Sequence, residues 1–386
     1  MKKVLLLGAS GSIGTQCLDL LRLHRDEFSL PAFSVGHQVG KIPGILKEHP
    51  EAKWVCVEEE KDAASLRKEH PELTVYSGEA GLEAIVRESD YDEAVNALVG
   101  FVGLAPSLGV LNRNKCLLLA NKESLVVGGP LINALLAEGK GSLYPIDSEH
   151  AALHKLLRKA NPEEVDKLII TASGGPFFHK NREELSDVTP KTALSHPTWR
   201  MGPKISIDSA TMMNKGFEVI EAMELFHVPA ERIEILIQPE SHVHSLLKMK
   251  DGSYLADVSA PDMHGPIDYA LHQGDVPYSL VKANRLEEVG PYHFYPFDPA
   301  RFPAVGIALS AKRMGGTAMA VLNAADEEAV YAFLRGEMPF LAIEEVVSSA
   351  LKEVPHEATI TLPSLLQADR RARAYVKSLI PFRSKI

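Results

Sequence analysis

Cysteine is scarce in this chain, which has three among its 386 residues. Cys17, Cys56 and Cys116 all lie in the first third, and their spacing matches no metal-binding motif. An odd number of widely spaced cysteines does not suit a disulfide framework. We therefore expect reduced, buried thiols and a cytoplasmic protein.

Long apolar runs are also missing. No stretch reaches the roughly 18 uncharged apolar residues of a membrane-spanning helix. The first apolar run, Val4 to Leu7, stops at Gly8, well short of the apolar core of a secretion signal. The sequence thus predicts neither a membrane span nor export.

Positive charge is not in surplus, because the formal net charge is -10. Such a chain lacks the basic excess that neutralises a nucleic-acid backbone. With 386 residues the chain also exceeds the usual size of one hydrophobic core. We therefore expect several domains and a small-molecule ligand, with no nucleic acid and no membrane as partner.

The first 150 residues alternate short apolar runs with helical stretches. This alternation predicts a parallel, doubly wound sheet, so residues 1–150 should form a Rossmann-like domain of the α/β class. The strand candidates are Val4–Leu7, Ala32–Val35, Trp54–Val57, Val95–Val99 and Cys116–Leu119.

The pattern changes after residue 150. Strands separated by helices and an irregular stretch predict a central α+β catalytic domain over residues 151–270. Residues 271–300 show little periodicity and indicate a linker, and residues 301–386 should form a small helical bundle. The candidate strands are Lys167–Thr171, Ile233–Ile237 and Tyr254–Val258, and the candidate helices are Pro303–Met314, Thr317–Leu334, Leu341–Lys352 and Pro363–Ser378.

A glycine-rich turn follows the first strand. Gly8, Gly11 and Gly14 open a helix whose backbone amides can face a pyrophosphate, although such turns also join strands to helices for structural reasons alone. The second strand ends in Gly36-His37-Gln38, without the acid that would repel a 2'-phosphate. NADPH therefore fits better than NADH, with His37 as a surface loop residue the plainer alternative.

Two carboxylates lie at a predicted strand-to-helix junction. Asp147 and Glu149 precede a helix expected near Ala151, and a loop there would let both converge on a hard cation such as Mg2+ or Mn2+. The alternative is structural: Asp147 or Ser148 caps the helix and Glu149 complements its dipole.

A third acid lies in the segment from Ile205 to Glu218. If a helix begins near Ala210, Asn214 and Glu218 are one turn apart and Lys215 adjoins them. An amide, an ammonium and a carboxylate so placed suit phosphate or hydroxyl binding beside a metal, whereas a solvated helix face is the alternative. Glu221, nearly one turn further, is a second possible ligand.

Several motifs in order resemble those of the 1-deoxy-D-xylulose 5-phosphate reductoisomerase family. They are GASGSIG at 8–14, ANKES at 120–124, DSEH at 147–150, TASGGPF at 171–177, HPTW at 196–199 with Met201-Gly202, and the segment Asp208 to Gly216.

The resemblance implies a reaction and a set of ligands. A ketose phosphate, 1-deoxy-D-xylulose 5-phosphate, is rearranged to a branched aldehyde and reduced by NADPH to 2-C-methyl-D-erythritol 4-phosphate, in non-mevalonate isoprenoid precursor biosynthesis. Mg2+, Mn2+ or Co2+ binds Asp147, Glu149 and Glu218. The reacting end contacts Lys122, Ser148 and Glu149, so that Lys122, Glu149 and Glu218 are the catalytic residues. The resemblance also implies a homodimer.

The remaining implied contacts concern the phosphate, a lid and the cofactor. The lid spans His196 to Lys204, with Trp199 over the ligand, although Trp199 could instead pack in the core. The residues implied for the phosphate are Ser173, His196, Ser209, Asn214 and Lys215, and those for the cofactor are Ser10, Gly11, Ser12, Ile13, Gly36, His37, Gln38, Asn121, Glu123 and Gly202.

The sequence departs from the family pattern in a few places. His37 stands where lysine or arginine is frequent, Ser10 replaces threonine, Gln238 replaces histidine, and Asp326 stands where asparagine is common. A semialdehyde dehydrogenase with a similar domain plan is disfavoured, because it needs a catalytic cysteine and none lies beyond Cys116. A non-catalytic NADPH sensor would have no use for three carboxylates.

Overall fold

The computed structural model describes residues 1–276 and 290–383, which divide into two compact units. The first unit contains Met1–Ser124, Leu131–Ala151 and the described part of Asp262–Val281. The second contains Leu125–Pro130, Ala152–Pro261 and the described part of Lys282–Ile386. The four segments predicted from the sequence, with boundaries at residues 150, 270 and 300, stay a prediction, and residues 277–289 of the predicted linker lie outside the described residues.

A seven-stranded parallel sheet forms the centre of the first unit, in the order β4-β3-β2-β1-β5-β6-β7. The doubly wound sheet is therefore confirmed, and its order reverses between β1 and β5, where such folds bind ligands beyond the strand ends. The strands are β1 (Lys2–Leu7), β2 (Phe28–Gly36), β3 (Trp54–Val57), β4 (Thr74–Ser77), β5 (Glu93–Asn96), β6 (Cys116–Leu119) and β7 (Ser142–Pro145).

Helices connect these strands and bury apolar residues against the sheet, and one further helix follows the last strand. Val4 to Leu7 are completely buried, as expected of a central parallel strand covered on both faces. The helices are α1 (Ser12–Leu23), α2 (Ile42–Glu48), α3 (Glu60–Glu69), α4 (Gly78–Glu88), α5 (Leu104–Asn112), α6 (Lys122–Ala137) and α7 (Ser148–Leu157).

A mixed five-stranded sheet lies in the second unit, in the order β11-β10-β8-β9-β12. Only β8 and β9 run parallel, so the chain between them must cross over from one end of the sheet to the other. The strands are β8 (Val165–Ala172), β9 (Ile233–Ile237), β10 (Val243–Met249), β11 (Tyr254–Val258) and β12 (Tyr295–Pro296), and the crossover contains α8 (Pro190–Ala193), α9 (Pro203–Thr211) and α10 (Met213–Phe226).

Five more helices complete the described chain. One returns to the first unit, and the four predicted C-terminal helices are confirmed with small shifts at their ends. Among them, α13 packs against both α14 and α15. They are α11 (His264–Leu271), α12 (Ala304–Met314), α13 (Ala318–Leu334), α14 (Ala342–Glu353) and α15 (Leu362–Arg383).

Some predicted elements need correction. The strand predicted at Val95–Val99 ends at Asn96, because the Asn96 side chain folds the chain back by accepting from the Leu98 amide at 3.2 Å and donating to the Gly103 carbonyl at 2.9 Å. The predicted lid from His196 to Lys204 contains Pro197, Gly202 and Pro203, which disfavour regular structure. Instead Pro203 begins α9, a position where proline suits a first helical turn.

The three cysteines are free and buried, as predicted. Burial raises the pKa of the Cys56 thiol to about 12 and that of Cys116 to about 11, so both stay protonated near neutral pH. In the described ranges, no helix is both long enough and apolar enough to cross a membrane.

Candidate functional site

The glycine turn of the first unit lies where the sheet order reverses. Gly8 has φ 88°, and a Cβ there would lie 2.6 Å from the Ala97 carbonyl oxygen, just beyond β5. A Cβ on Gly14 would lie 2.1 Å from the Gly8 carbonyl oxygen. Both positions therefore require glycine, because the backbone of the turn lies too close to neighbouring backbone atoms for a side chain. This is the structural role that the sequence analysis left open for these glycines.

The same turn leaves room for an anion at the start of α1. Gly11 is the N-cap of α1, has no side chain to cap the helix, and would bring an added Cβ no closer than 3.5 Å to another atom. The first-turn amides, including those of Ser12 and Ile13, have no N-cap side chain as an acceptor, and the helix dipole favours a phosphate there. Ser10 instead donates its hydroxyl to the Val35 carbonyl at 2.8 Å and ties the turn to β2.

The end of β2 presents two basic side chains, of which the sequence analysis identified one. His37 is largely exposed, and its Nδ1 lies 4.0 Å from Glu59 Oε1, a carboxylate that would repel a phosphate bound beside His37. Lys41, just beyond Gly36 and Gln38, donates from Nζ to the Ser10 carbonyl at 2.8 Å. Lys41 is therefore a second candidate for a 2'-phosphate, and only its place a few residues past His37 could have indicated it.

The junction of β6 and α6 carries three predicted residues. Asn121 is buried, and its Nδ2 donates to the carbonyls of Leu98 and Gly100 at 3.0 Å and to Glu123 Oε2 at 2.8 Å. These hydrogen bonds hold the loop that follows β5, so the buried Asn121 stabilises the carboxyl end of that strand, where a cofactor is predicted to bind. Lys122, the first residue of α6, is also buried and points its ammonium at Asp147.

Asp147 is held by two cations of the first unit. Its Oδ2 accepts from Lys122 Nζ at 2.8 Å, and its Oδ1 lies 2.9 Å from His150 Nδ1. Burial opposes ionisation of Asp147, but the charges and hydrogen bonds of Lys122 and His150 outweigh it and hold the pKa well below the usual value. Asp147 is therefore a carboxylate at neutral pH, as a metal ligand must be.

The helix after Asp147 begins earlier than predicted. Since α7 starts at Ser148 rather than near Ala151, Glu149 lies in its first turn and not in a loop. Asp147 Oδ1 accepts from the Glu149 amide at 3.2 Å, so Asp147 caps the helix, as the structural alternative proposed. Ser148 donates to Glu149 Oε2 at 2.7 Å. The cap fixes the backbone that carries both carboxylates.

In the second unit, the crossover from β8 to β9 contains every predicted phosphate residue. Ser173 follows β8 directly, in a turn where Gly174 and Gly175 have φ 83° and 66°. A Cβ on Gly175 would lie 2.8 Å from the Ser209 carbonyl oxygen, so glycine lets this turn approach α9. The fold thus brings the Ser173 and Ser209 segments together.

His196 fixes the direction of the Ser173 hydroxyl. Its Nδ1 accepts from the amides of Thr198 and Trp199 at 3.2 and 2.9 Å, so its proton lies on Nε2, 3.0 Å from Ser173 Oγ. Burial lowers the pKa of His196 to about 4, which keeps this neutral form at physiological pH. Ser173 Oγ also accepts from the Gly175 amide at 3.2 Å. Its own proton is then left to be donated to an anion.

The start of α10 gathers the charged groups of this half. Met212 has φ 65°, a left-handed conformation that interrupts the helical structure between α9 and α10. Helix α10 therefore begins at Met213 and not near Ala210. The predicted spacing of Asn214 and Glu218 on one helical face is confirmed, since Asn214 Nδ2 donates to Glu218 Oε1. Lys215 Nζ donates to Glu218 Oε2 and, at 2.5 Å, to the Thr171 carbonyl.

Burial decides against the solvated-face alternative for this helix. Lys215 is 3% exposed and Glu218 and Glu221 are 1% exposed, whereas Asn214 and Ser209 are partly open. Burial of an ammonium and a carboxylate costs free energy of desolvation, which their pairing offsets only in part. Their presence inside the protein therefore favours a functional site. Gly216 lets α10 pack closely on α12, because a Cβ there would lie 2.9 Å from that of Ala308.

The predicted lid segment lies just before α9. Trp199 is partly buried, and its ring lies 6.3 Å from that of His244, so it is not a core residue. Gly202 is exposed and forms the N-cap of α9.

A buried ion cluster at the base of this segment was not foreseen. Lys204 Nζ donates to Asp208 at 2.5 Å and to Asp326 of α13 at 2.8 Å, and lies over the Phe217 ring. Asp326, one of the departures from the family pattern, thus anchors the start of α9 to α13.

Family models match most of the chain. The models described as 1-deoxy-D-xylulose 5-phosphate reductoisomerase, its C-terminal domain, and the DXP reductoisomerase C-terminal domain match residues 4–129, 143–226 and 258–375.

Curated relatives and solved structures match over nearly the whole length. The reductoisomerase of Listeria innocua is 44% identical over 383 residues, and that of Geobacillus kaustophilus 45% over 381, each covering 98% of this chain and all of the relative. The structure of the Zymomonas mobilis enzyme in complex with NADPH is 35% identical, with a TM-score of 0.90, over 98% of this chain and 99% of the other. A reductoisomerase in complex with NADPH, fosmidomycin and magnesium is 33% identical, with a TM-score of 0.91, over 99% of both chains. The chain therefore belongs to the 1-deoxy-D-xylulose 5-phosphate reductoisomerase family.

Proposed function

We propose that this protein rearranges 1-deoxy-D-xylulose 5-phosphate and reduces the product with NADPH to 2-C-methyl-D-erythritol 4-phosphate. The observation that carries the proposal is the β8–β9 crossover, in which Ser173, Asn214 and Lys215 present donors while Glu218 presents a buried carboxylate. Phosphate needs the donors, and a hard cation needs the carboxylate. The family membership supports the same reaction.

The phosphate end is assigned to four side chains of the second unit and to the start of α10. The Ser173 hydroxyl has a proton to donate, because His196 and the Gly175 amide already donate to its oxygen. Lys215 adds an ammonium, and the start of α10 adds the positive end of a helix dipole. Ser209 and Asn214, both partly open, complete the set.

The metal is assigned to Asp147, Glu149 and Glu218, the three carboxylates that the family resemblance implies. The donor set fits, since carboxylate oxygens are what Mg2+ and Mn2+ prefer, and Asp147 is ionised at neutral pH. A bound divalent ion would act as a Lewis acid on the adjacent carbonyl and hydroxyl oxygens of the substrate. We propose Mg2+, Mn2+ or Co2+ in this role.

The chain's own residues then orient the reacting carbons. In the rearrangement, the bond between the hydroxyl-bearing carbon beside the carbonyl and the next carbon breaks, and that next carbon bonds to the carbonyl carbon. The hydroxyl-bearing carbon becomes the aldehyde of a branched product, and its hydroxyl proton is balanced by protonation of the former carbonyl oxygen. The aldehyde then takes a hydride from NADPH and a proton. Lys122, fixed by Asp147, would contact the reacting end with Ser148 and Glu149. The segment from His196 to Gly202 would exclude water while the aldehyde forms.

The proposal extends to the location and the partners of the enzyme. Buried free thiols suit a cytoplasmic location. The family resemblance suggests a homodimer, and the net charge of -10 disfavours nucleic acid as a partner.

Removal of divalent metal tests the proposed site. NADPH oxidation with 1-deoxy-D-xylulose 5-phosphate should stop after chelation and return with Mg2+ or Mn2+, because the developing negative charge on the substrate oxygens loses its counter-ion. Steady-state rates before and after chelation give the answer. A rate that survives thorough chelation would refute the metal assignment.

Cofactor preference tests the two basic side chains near β2, Lys41 and His37. Lys41→Ala should weaken NADPH relative to NADH by roughly 10- to 100-fold, the value of one charge-assisted hydrogen bond to a phosphate, and His37→Ala should have a smaller effect because Glu59 lies near it. The measurement is the ratio of kcat/KM for the two cofactors, with Lys47→Ala on α2 as the matched control. An unchanged ratio in Lys41→Ala would exclude Lys41 from the 2'-phosphate site.

A further inference from the structure

A cluster of two histidines and two carboxylates lies in the first unit, apart from every residue assigned above. His24 follows the end of α1 and Glu27 precedes β2, while Asp268 and His272 are one turn apart at the end of α11. His24 and Asp268 are 0% and 2% exposed, and Glu27 is the most open member, with about a third of its side chain accessible.

Three ligand atoms of this cluster converge. His24 Nδ1 lies 3.0 Å from Glu27 Oε1, and His272 Nε2 lies 3.3 Å from Glu27 Oε2. One ligand atom from each of the three residues lies within 4.8 Å of the other two. Four ligands at about 2.0–2.1 Å around a tetrahedral Zn2+ lie roughly 3.3 Å from one another, so these N···O distances suit a shared metal.

The opposite ring nitrogens both face one buried carboxylate. Asp268 Oδ1 lies 3.0 Å from His272 Nδ1 and 3.3 Å from His24 Nε2. His272 Nδ1 also lies 3.0 Å from the Asp268 backbone carbonyl oxygen, so its proton has an acceptor on this side of the ring. With the ring protons on His24 Nε2 and His272 Nδ1, the lone pairs of His24 Nδ1 and His272 Nε2 point at the Glu27 carboxylate, where a bound cation would satisfy all three groups. A carboxylate or a backbone carbonyl behind metal-bound histidines is a recurring support for zinc.

The surroundings hold the ligands in place before any metal binds. Backbone bonds from the amides of Glu27 and Phe28 to the His24 carbonyl, both 2.9 Å, fix the turn between α1 and β2. The Phe28 ring meets the rings of His24 and His272 edge to face at 6.1 and 5.2 Å. Helices α1 and α11 pack against each other, so the ligands come from rigid elements.

We propose that His24, Glu27 and His272 form a second metal site, selective for Zn2+ over Mg2+, with Asp268 positioning both imidazoles. Two nitrogens and one oxygen suit zinc, whereas Mg2+ prefers oxygen alone. The partly open side of Glu27 leaves the fourth position to water. The site joins α11 to the α1–β2 turn and does not depend on the proposed reaction.

Zinc binding in excess Mg2+ tests this site. The intact protein should retain one Zn2+ per chain after dialysis against Mg2+, measured by elemental analysis, and so should Glu218→Gln, because its substitution lies in the other proposed site. His272→Gln and Glu27→Gln should lose the zinc, and Asp268→Asn should weaken it by about 10- to 100-fold. His264→Gln, at the other end of α11, is the matched control and should keep it.

Two results would overturn the second metal site. One is an intact protein that retains no zinc in Mg2+, which would leave the cluster as an ion-pair network between α1 and α11. The other is zinc retained equally by His272→Gln and Glu27→Gln. If His272→Gln does not fold, Glu27→Gln still decides the matter, because the Glu27 side chain is partly exposed.

Discussion

Glu218→Gln is expected to lower metal affinity and turnover by about 100-fold or more, while NADPH still binds. Even residues that only support a metal ligand are typically worth 10- to 100-fold in affinity, so loss of a charged ligand should cost no less. Glutamine keeps the size and the helix propensity of position 218 and can still accept from Asn214 or Lys215. Thermal stability is measured beside that of the parent, because the substitution removes the charge that pairs with the buried Lys215 ammonium.

Calorimetric metal titration and steady-state turnover check this expectation. Glu231→Gln, an exposed acid outside the site, is the control and should match the parent. Glu221→Gln tests the other possible ligand on α10. Full turnover and unchanged metal affinity in Glu218→Gln, with loss of both in Glu221→Gln, would transfer the third ligand to Glu221.

Lys215→Ala should weaken substrate binding by roughly 10- to 150-fold. A charge-assisted hydrogen bond to phosphate is worth about 1.5–3 kcal/mol, and Lys215 supplies the only ammonium among the proposed phosphate residues. Its Nζ is already directed by the Thr171 carbonyl and Glu218, so little ordering is needed on binding. Cofactor affinity should barely change, since the glycine turn belongs to the other unit.

A phosphate-free substrate analogue provides the control for Lys215. Its binding should be equally weak in the parent and in Lys215→Ala, because the missing contact is the one the substitution removes. Weakening of the analogue by the same factor as the substrate would give Lys215 a different role. Folding is followed by thermal denaturation, since removal of the ammonium leaves Glu218 buried without its charged partner.

Much of the fold could be predicted because its signals are local. Apolar runs such as Trp54–Val57 and Ile233–Ile237 have the observed bounds of β3 and β9. The missed strand β10 contains His244 and Ser245, polar residues that are nevertheless buried, so it lacks the apolar pattern. The short edge strand β4 is half-exposed and gives an equally weak signal.

The candidate site was partly predictable for a similar reason. Motif order and helical spacing identify Asp147, Glu218 and Lys215, because ligand chemistry depends on residue type. Contacts between distant segments do not appear in a sequence: Lys41 reaches the Ser10 carbonyl, and Lys204 pairs with Asp326 from α13. The early start of α7 at Ser148 was missed because Asp147 serves as a cap as well as a candidate ligand.

Identification of the reaction product tests the central claim most directly. With 1-deoxy-D-xylulose 5-phosphate, NADPH and Mg2+, the protein should form one 2-C-methyl-D-erythritol 4-phosphate for each NADPH oxidised, observed by carbon NMR as a branched skeleton. An unbranched polyol phosphate formed with NADPH oxidation would make the protein a simple dehydrogenase, and no reaction in the presence of metal would contradict the proposed function altogether.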